Sequence, residues 1–266
     1  MTTCIIIPAR YASTRFPGKP LAPLKGATGE VKSLIQRSWE AGMAVPGIDA
    51  CYVATDDQRI ADASVAFGAQ VLMTSEDCAN GTERCADAIR GLSSTPDIVV
   101  NLQGDAPLTP PWFVSALVEA MQADPSIQVA TPVLRCDEHA LEGFLADRQA
   151  GRVGATTAVF DRNGRALYFS KEVIPYTGGK FSENGVCPVF HHVGVYAYRP
   201  QTLGAYMAME TGPLERWEGL EQLRFMENGT PVNCVEVEAR GAKFWELNNP
   251  EDTPRIEAVL AEQATV

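Results

Sequence analysis

The 266-residue sequence is short of positive charge, because 22 Lys and Arg residues face 33 Asp and Glu residues and give a formal net charge of −11. A polyanion such as DNA or RNA attracts a net-positive surface, so this balance argues against a nucleic-acid-binding protein. Histidine is also scarce, with 3 residues, and none of the 7 cysteines belongs to a C-x-x-C pair. We therefore expect no zinc site and a set of reduced, structural cysteines.

Long hydrophobic runs are missing as well. No stretch approaches the roughly 18 uncharged apolar residues that a membrane-spanning helix needs, so we expect no membrane segment. Residues 1–8 contain neither a basic region nor an apolar core of useful length, which predicts no secretory signal and a cytoplasmic location. Hydrophobic residues nevertheless make up 45% of the chain and charged residues 21%, as is typical of folded globular proteins.

Short apolar runs alternate with stretches of helical periodicity through the first half of the chain. Strands that are apolar on both faces and alternate with helices predict βαβ units and a parallel sheet. We therefore expect an α/β fold with a doubly wound, Rossmann-like, mostly parallel sheet. The predicted strands cover 4–7, 50–54, 71–73, 98–102 and 129–133, and the predicted helices cover 33–43, 58–67, 84–92 and 111–121.

The pattern changes after about residue 151, where strand-like segments, a loop rich in Gly, Pro and Asn, and two further helices replace the regular alternation. No linker-like composition marks a boundary, so we expect one domain over 1–266 with a strand-rich excursion at about 156–215 for dimerisation or as a lid. The predicted strands here cover 156–160, 167–169, 190–198 and 232–237, the loop covers 175–188, and the helices cover 214–227 and 250–261.

The loop after the first predicted strand carries three cations, Arg10, Arg15 and Lys19, with no acidic residue between them. Open α/β sheets bind their ligands beyond the carboxyl ends of the strands. Guanidinium and ammonium groups, together with loop amides near Ser13 and Gly18, would neutralise and hold a triphosphate. The spacing matches neither a P-loop nor a dinucleotide-binding glycine motif, and the alternative is a solvated basic loop.

Two further features lie at the ends of predicted elements. Residues 81–84 open a helix after Asn80, where backbone amides would face a ligand and Arg84 could bind a carboxylate. Capping by Asn80 with a solvated Arg84 is the more common arrangement. Asp105 follows a strongly apolar strand beside the basic loop, and a carboxylate next to a triphosphate favours a Mg²⁺ ion between them. The alternative is that Asp105 caps the helix that begins near Pro110.

Three polar residues share one face of the predicted helix 214–227, namely Glu218, Glu221 and Gln222. They suit a polar ligand, and they equally suit a solvated face on which the acids pair with arginines of the same helix.

Two adjacent histidines, His191 and His192, begin the strand-like segment 190–198. Alternation along a strand turns only one of them toward the ligand side of the sheet. A lone histidine is more often a satisfied polar residue than a functional one.

Eight segments, taken in order, resemble the 3-deoxy-manno-octulosonate cytidylyltransferase family. This resemblance implies a sheet of the nucleotide-diphospho-sugar transferase type, a homodimer and a Mg²⁺ cofactor. It also implies that CTP and 3-deoxy-D-manno-octulosonate (Kdo) give CMP-Kdo and pyrophosphate, for lipopolysaccharide or capsule synthesis. The segments are 8–21, 54–57, 73–74 with 81–84, 100–105, 167–170, 192–199, 220–224 and 250–252.

The resemblance assigns roles residue by residue. The residues implied to bind the nucleotide are Pro8, Ala9, Arg10, Ser13, Arg15, Lys19, Thr74, Gly81 and Gln103. Those implied to bind the sugar acid are Arg84, Gln103, His192, Tyr196, Glu221 and Gln222. Catalysis is expected of Lys19, Asp105 and Arg10, and metal binding of Asp105 and Asn248.

Three positions depart from the family pattern. Asn248 replaces the usual metal-binding aspartate, Ala106 replaces an acidic residue, and Lys171 replaces an arginine. Asparagine removes one negative charge from the metal site, so either the triphosphate holds the ion, Glu246 substitutes, or the activity is altered. Alternative functions are therefore transfer to a related acid, such as 8-amino-Kdo, another ulosonic acid or a phosphonate, and a weakly active nucleotide-binding paralogue.

Overall fold

In the computed structural model, residues 1–13, 16–152, 155–178, 180–182, 184–243 and 245–263 are described. The strands are β1 Thr3–Ala9, β2 Pro23–Lys25, β3 Val31–Ser33, β4 Ala50–Thr55, β5 Gln70–Met73, β6 Ile98–Leu102, β7 Val129–Arg135, β8 Thr156–Phe160, β9 Ala166–Ser170, β10 Phe190–His192, β11 Val195–Tyr198 and β12 Val232–Glu236. The helices are α1 Leu34–Met43, α2 Gln58–Ala66, α3 Gly81–Ala88, α4 Pro111–Ala123, α5 Glu138–Gln149, α6 Pro200–Ala205, α7 Pro213–Glu218, α8 Gln222–Glu227 and α9 Thr253–Gln263. Short 3₁₀ turns cover Lys19–Leu21, Ile89–Gly91, Tyr206–Ala208 and Pro250–Asp252.

One large mixed sheet runs in the order β5-β4-β1-β6-β11-β7-β10-β8-β9, and β12 also pairs with β7. The strands β5, β4, β1 and β6 are parallel, as predicted for the first half of the chain. Antiparallel strands extend this part, beginning with β11 beside β6. The predicted α/β fold with a Rossmann-like sheet is confirmed, and β2 with β3 forms a small separate hairpin.

Buried apolar residues cover both faces of β1, which explains why this strand lies in the middle of the parallel part. Ile5 and Ile7 pack into a core shared with α1 and α4, whereas Cys4 and Ile6 pack into a second core shared with α3 and α8. Helices therefore cover the sheet on both sides. The carboxyl ends of β1, β4 and β6 meet at one edge of the sheet, where the functional residues collect.

The predicted continuous strand 190–198 is wrong, because the chain breaks between β10 and β11. Both short strands pair with β7, but the pairing skips from His192 opposite Val133 to Ala197 opposite Ala130. The extra residues bulge out, and the hydroxyl of Thr131 supports the bulge at 2.8 Å from the carbonyl oxygen of Val195.

The predicted continuous helix 214–227 is also wrong. Gly219 adopts a left-handed conformation with φ of 61° and ends α7, and α8 begins three residues later. Glu218, Glu221 and Gln222 therefore do not share one helix face. The predicted helix 250–261 likewise begins with a 3₁₀ turn before α9.

The strands β8 to β11 of the excursion at about 156–215 belong to the main sheet, and β9 stands at the end of the strand order. The single-domain organisation and the dimerisation or lid role of this region stay predictions. None of the helices in the described residues has the length and apolar character that crossing a bilayer requires.

Candidate active site

A cavity of about 410 Å³ opens at the carboxyl ends of β1 and β6, beside the first turn of α3. The two strand ends touch here, because a β-carbon on Gly104 would lie 2.5 Å from the carbonyl oxygen of Pro8. Only glycine permits so close an approach. The predicted site residues that line the cavity are Pro8, Ala9, Arg10, Ser13, Lys19, Gly81, Arg84, Gln103 and Asp105.

Lys19 and Asp105 form an ion pair within this cavity, with 2.6 Å between Nζ and Oδ2. Their side chains keep 16% and 25% of their exposure, so both groups can still meet a ligand. Asp105 does not cap α4, whose first turn follows Pro110 without a side-chain cap. That alternative is therefore wrong, and the carboxylate belongs to the cavity.

A local hydrogen bond joins Ser13 to Phe16 in the described part of the basic loop. Ser13 accepts it at Oγ from the amide of Phe16, at 3.3 Å, and Arg10 is exposed at the mouth of the cavity. Arg15, the remaining predicted cation, lies outside the described residues.

The start of α3 binds a carboxylate of the protein itself. Asn80 caps the helix as expected, since its Oδ1 accepts a hydrogen bond from the amide of Glu83 at 2.8 Å. Glu221 accepts hydrogen bonds from the amide of Thr82 at 3.1 Å and from the side chain of Gln103 at 3.3 Å. Burial raises the pKa of the Glu221 carboxyl, against the opposing effect of these hydrogen bonds.

Arg84 is buried, so the alternative of a solvated guanidinium is wrong. Its Nη1 donates to the hydroxyl of Thr74 at 2.6 Å, and its Nη2 lies 3.3 Å from Oδ2 of Asp56. Thr74 thus reaches the site through Arg84 and is not among the residues that line the cavity. Sequence reasoning assigned no role to Asp56, although an acid directly after a predicted strand was the available signal.

A buried aromatic and amide cluster connects to the cavity through the hydrogen bond from Gln103 to Glu221, but none of its residues lines the cavity. Tyr196 donates from its hydroxyl to Oε1 of Gln222 at 3.0 Å, and the ring of His192 lies 5.6 Å from that of Tyr196. Gln222 directly follows Glu221, which joins this cluster to the first turn of α3. Four of the residues predicted to bind the sugar acid therefore lie together, namely His192, Tyr196, Glu221 and Gln222.

His192 is held as a neutral imidazole. Burial lowers the pKa of His192 to about 3. Its Nε2 lies 2.9 Å from the hydroxyl oxygen of Thr131, which in turn lies 2.8 Å from the carbonyl oxygen of Val195. The threonine hydroxyl has one proton, so donating it to the carbonyl makes Nε2 of His192 the donor and leaves Nδ1 as an acceptor.

Two buried amides of this region have polar atoms without a protein partner. These atoms are Nδ2 and Oδ1 of Asn101 and Nε2 of Gln222. Asn101 lies opposite Tyr196 in the pairing of β6 with β11. Buried amides usually have hydrogen-bond partners, so the free atoms of Asn101 and Gln222 can bind water or a hydroxylated ligand.

Asn248 lies on a segment attached to Asp105, because the amide of Leu247 donates to the carbonyl oxygen of Asp105 at 2.9 Å. The Asn248 side chain donates from Nδ2 to Oε2 of Glu246 at 3.4 Å. Across the described ranges, no group of three or more His, Cys, Asp or Glu residues is arranged to hold a metal ion.

Two further acids of the second half, Glu215 and Glu218, have structural partners. Glu218 accepts hydrogen bonds from the hydroxyl of Ser170 at 2.7 Å and from the amide of Lys171 at 2.8 Å, so it ties α7 to the end of β9. Arg224 pairs with Glu215 at 2.7 Å and with Glu83 at 2.8 Å. The expected pairing of Glu218 or Glu221 with this arginine is therefore wrong.

Comparisons with known proteins identify the family of this chain. A family model described as cytidylyltransferase matches residues 4–237. The 3-deoxy-manno-octulosonate cytidylyltransferase of Maricaulis maris is 46% identical over 261 residues, which cover 98% of each chain. The corresponding protein of Chlamydia abortus is 41% identical, over 96% of this chain and 92% of its own.

Solved structures give the same result. A CMP:2-keto-3-deoxy-manno-octonic acid synthetase complexed with CTP has a TM-score of 0.83 and 34% identity, and the match covers 99% of this chain and 100% of that one. A 4-diphosphocytidyl-2C-methyl-D-erythritol synthase from Anaerococcus prevotii, with a TM-score of 0.58 and 12% identity, shares the fold alone. The chain is thus a nucleotidyltransferase that belongs to the 3-deoxy-manno-octulosonate cytidylyltransferase family.

Proposed function

We propose that this enzyme transfers a cytidylyl group from CTP to Kdo, giving CMP-Kdo and pyrophosphate. The observation that carries the proposal is a cationic cavity that the hydrogen bond from Gln103 to Glu221 joins to a buried cluster of neutral polar groups, and we call these two parts the walls of the site. The wall with Arg10 and Lys19 is cationic and suits a triphosphate, whereas the wall with His192, Tyr196 and Gln222 is neutral and suits a polyol. The relatives named above support the same pair of substrates.

The nucleotide wall combines charge with backbone. Arg10 and Lys19 would neutralise the phosphates, joined by Arg15 as the sequence predicts. The loop amides near Ser13 and the backbone of Gly81, which lines the cavity, would approach the phosphate and ribose oxygens. Pro8, Ala9 and Gln103 would complete the pocket for the rest of the nucleotide, with Thr74 acting through Arg84.

The sugar-acid wall would recognise hydroxyl groups. The acceptor Nδ1 of His192, the Tyr196 hydroxyl and the amide of Gln222 together offer donors and acceptors in a buried setting. The Glu221 carboxylate would accept from a hydroxyl group. Arg84, already held from two sides, would orient the acid's carboxylate.

A divalent cation fits beside Asp105, and we propose that it is Mg²⁺. The Asp105 carboxylate, which lines the cavity and pairs with Lys19 at 2.6 Å, supports a cation at this position. One carboxylate and the neutral amide oxygen of Asn248 suit Mg²⁺, which usually keeps several waters and binds substrate phosphates. When bound, the ion would offset phosphate charge and lower the pKa of the attacking hydroxyl.

The chain's own residues would then position an in-line displacement. The anomeric hydroxyl of the sugar acid gives up its proton to solvent, and its oxygen forms a bond to the α-phosphorus of CTP. The bond from that phosphorus to the bridging oxygen breaks, and pyrophosphate leaves with its electron pair. Lys19, released from Asp105, would follow the negative charge that develops on the leaving group. Positioning and charge neutralisation supply the catalysis, so no protein nucleophile is required.

We also propose a cytoplasmic homodimer, as the family resemblance implies. The three most exposed large apolar side chains in the described part of the second half are Leu167 at 61%, Tyr176 at 94% and Trp217 at 87%, and Leu167 lies on the last strand of the sheet order. Such side chains are typical of a contact surface. Light scattering of the purified protein tests the dimer, and a monomeric mass at micromolar concentration contradicts it.

The function is tested by pyrophosphate release from CTP, UTP and ATP, each with Kdo, 8-amino-Kdo and other ulosonic acids, with and without Mg²⁺. We expect turnover with CTP, Kdo and Mg²⁺ together. Preference for another acid would change the assigned substrate but keep the chemistry. Binding of CTP without turnover of any acid would contradict the proposal and favour the nucleotide-binding paralogue.

A further inference from the structure

Two consecutive acids follow β4, and each holds a different arginine. Asp56 pairs with the buried Arg84, as described above. Asp57 holds Arg59 with two hydrogen bonds, from Nε to Oδ1 at 2.9 Å and from Nη2 to Oδ2 at 2.6 Å. The segment 54–57 belongs to the family resemblance, and the proposed function gives Asp57 and Arg59 no task.

Asp57 is itself anchored to a helix. Its Oδ1 also accepts a hydrogen bond from the amide of Arg59 at 2.9 Å and so caps the first turn of α2. A bidentate pair fixes the plane of the guanidinium as well as its place. Arg59 is therefore directed by the helix start, although its side chain is 60% exposed.

The guanidinium of Arg59 lies over the ring of Tyr11, with 3.4 Å between its central carbon and the ring centroid. Tyr11 belongs to the basic loop, between Arg10 and Ser13, and packs partly against the core beneath α1 and α4. An arginine stacked on an aromatic face holds that ring by cation–π attraction.

Tyr11 also contacts the other end of the loop. The amide of Gly18 donates to the carbonyl oxygen of Tyr11 at 3.0 Å. Gly18 has a φ of 71°, and a β-carbon there would lie 3.0 Å from the Tyr11 ring. The ring therefore lies against the turn that leads directly into Lys19.

We propose that Arg59 is a positioning residue. Asp57 holds its guanidinium against the ring of Tyr11, and this contact holds the loop from Arg10 to Lys19 in the shape that receives a triphosphate. The inference rests on the proposed function only in naming CTP as the ligand of this loop. Arg59 acts through Tyr11 and makes no contact of its own with the nucleotide.

The test measures the equilibrium Kd of CTP with Mg²⁺ by calorimetry, together with KM and kcat for pyrophosphate release. Arg59→Met keeps most of the aliphatic stem and removes the charge. A clamp of cation–π strength predicts a three- to tenfold weaker Kd and higher KM for CTP, with kcat changed less than about twofold and an unchanged KM for Kdo.

Tyr11 gives the second arm of the test. Tyr11→Leu removes the ring and should weaken CTP binding at least as much as Arg59→Met, whereas Tyr11→Phe keeps the ring and should bind CTP within about twofold of the wild type. Because both residues act through one contact, the double variant Tyr11→Leu with Arg59→Met should bind CTP with the same Kd as Tyr11→Leu alone.

Arg152→Met is the matched control, since Arg152 is an exposed arginine paired with Asp147 at 2.8 Å, at the end of α5 and outside the cavity lining. An unchanged Kd in Arg59→Met, or additive losses in the double variant, would overturn the proposal. The second outcome would mean that Arg59 touches the phosphates directly. If the wild type fails to turn over Kdo, the proposed function fails, but the CTP titration still decides the role of Arg59.

Discussion

The two walls of the site handle polarity in opposite ways. Arg10, Lys19 and Asp105 are charged and keep contact with solvent, whereas His192 and Gln222 are neutral and almost fully buried. A triphosphate brings several negative charges that must be offset, so its wall needs cations that can move. A polyol brings no charge in its hydroxyl groups, so its wall needs fixed donors and acceptors whose directions select the ligand.

The largest expected effect is the loss of turnover when one charge of the charged wall is removed. Lys19→Ala and Asp105→Ala should each lower kcat by about a hundredfold or more, because each removes a charge that stabilises the developing pyrophosphate or its cation. Steady-state pyrophosphate release measures this. Lys25→Ala is the control, since Lys25 lies on the separate hairpin strand β2. Near-wild-type turnover in both site variants would contradict the assignment of the charged wall.

The second prediction concerns the neutral wall. Tyr196→Phe removes a hydroxyl that donates to the buried Oε1 of Gln222 and leaves that oxygen unsatisfied. The unsatisfied oxygen should lower the free energy of unfolding by about 1–3 kcal/mol. Loss of the hydrogen bond that orients the Gln222 amide should raise KM for Kdo by up to roughly tenfold and leave the Kd of CTP unchanged. Equal losses for both substrates would mean that the two walls are not separate.

A third experiment measures how acid affects the stability of the protein through the buried histidines of the neutral wall. Burial lowers the pKa of His192 to about 3 and of His191 to about 4, from an ordinary value of 6.5. Below pH 6.5 the unfolded chain therefore takes up protons that the folded chain refuses. The free energy of unfolding should fall by up to about 1.4 kcal/mol per pH unit for each histidine, until the folded-state pKa is reached.

Urea unfolding of the wild type and His192→Phe at a series of pH values measures this loss. The variant should show a shallower decline between pH 6 and pH 4, whatever its stability at neutral pH. His139→Gln, at an exposed histidine on α5, is the matched substitution. Parallel declines of the wild type and His192→Phe would show that His192 is accessible to protons in the folded protein.

The smallest expected effect is a change in the Mg²⁺ requirement of the charged wall. Asn248→Asp adds one carboxylate on the segment whose Leu247 amide donates to the carbonyl oxygen of Asp105, and it should lower the Mg²⁺ concentration for half-maximal activity about three- to tenfold. Asn163→Asp, on the turn between β8 and β9, adds the same charge elsewhere. A loss of activity in Asn248→Asp would mean that the amide has a task of its own, such as its hydrogen bond to Glu246.

The charged wall could be predicted from residue types because its parts are local. A buried strand followed at once by cations or by Gln103-Gly104-Asp105 places those groups at a sheet edge without knowledge of the full topology. The Lys19–Asp105 pair joins two such edges, and both were visible in the sequence.

The neutral wall could not be predicted in this way, and only the family resemblance pointed to it. Its contacts join residues far apart in the chain, such as Thr82 with Glu221 and Thr131 with His192. The break between β10 and β11 depends on pairing with β7, which periodicity does not report. Gly219, in contrast, is a visible signal for the end of α7, although the acids around it have helical spacing.

The contact between Gly104 and Pro8 bears on how the acceptor preference of this enzyme could be redesigned. The distance from the loop after β1 to Asp105 is set there by main chain against main chain, and no side-chain choice enters it. A library of substitutions on β11 and α8 can therefore remodel the acceptor wall while the reactive centre keeps its dimensions. Libraries that include position 104 would lose those dimensions first.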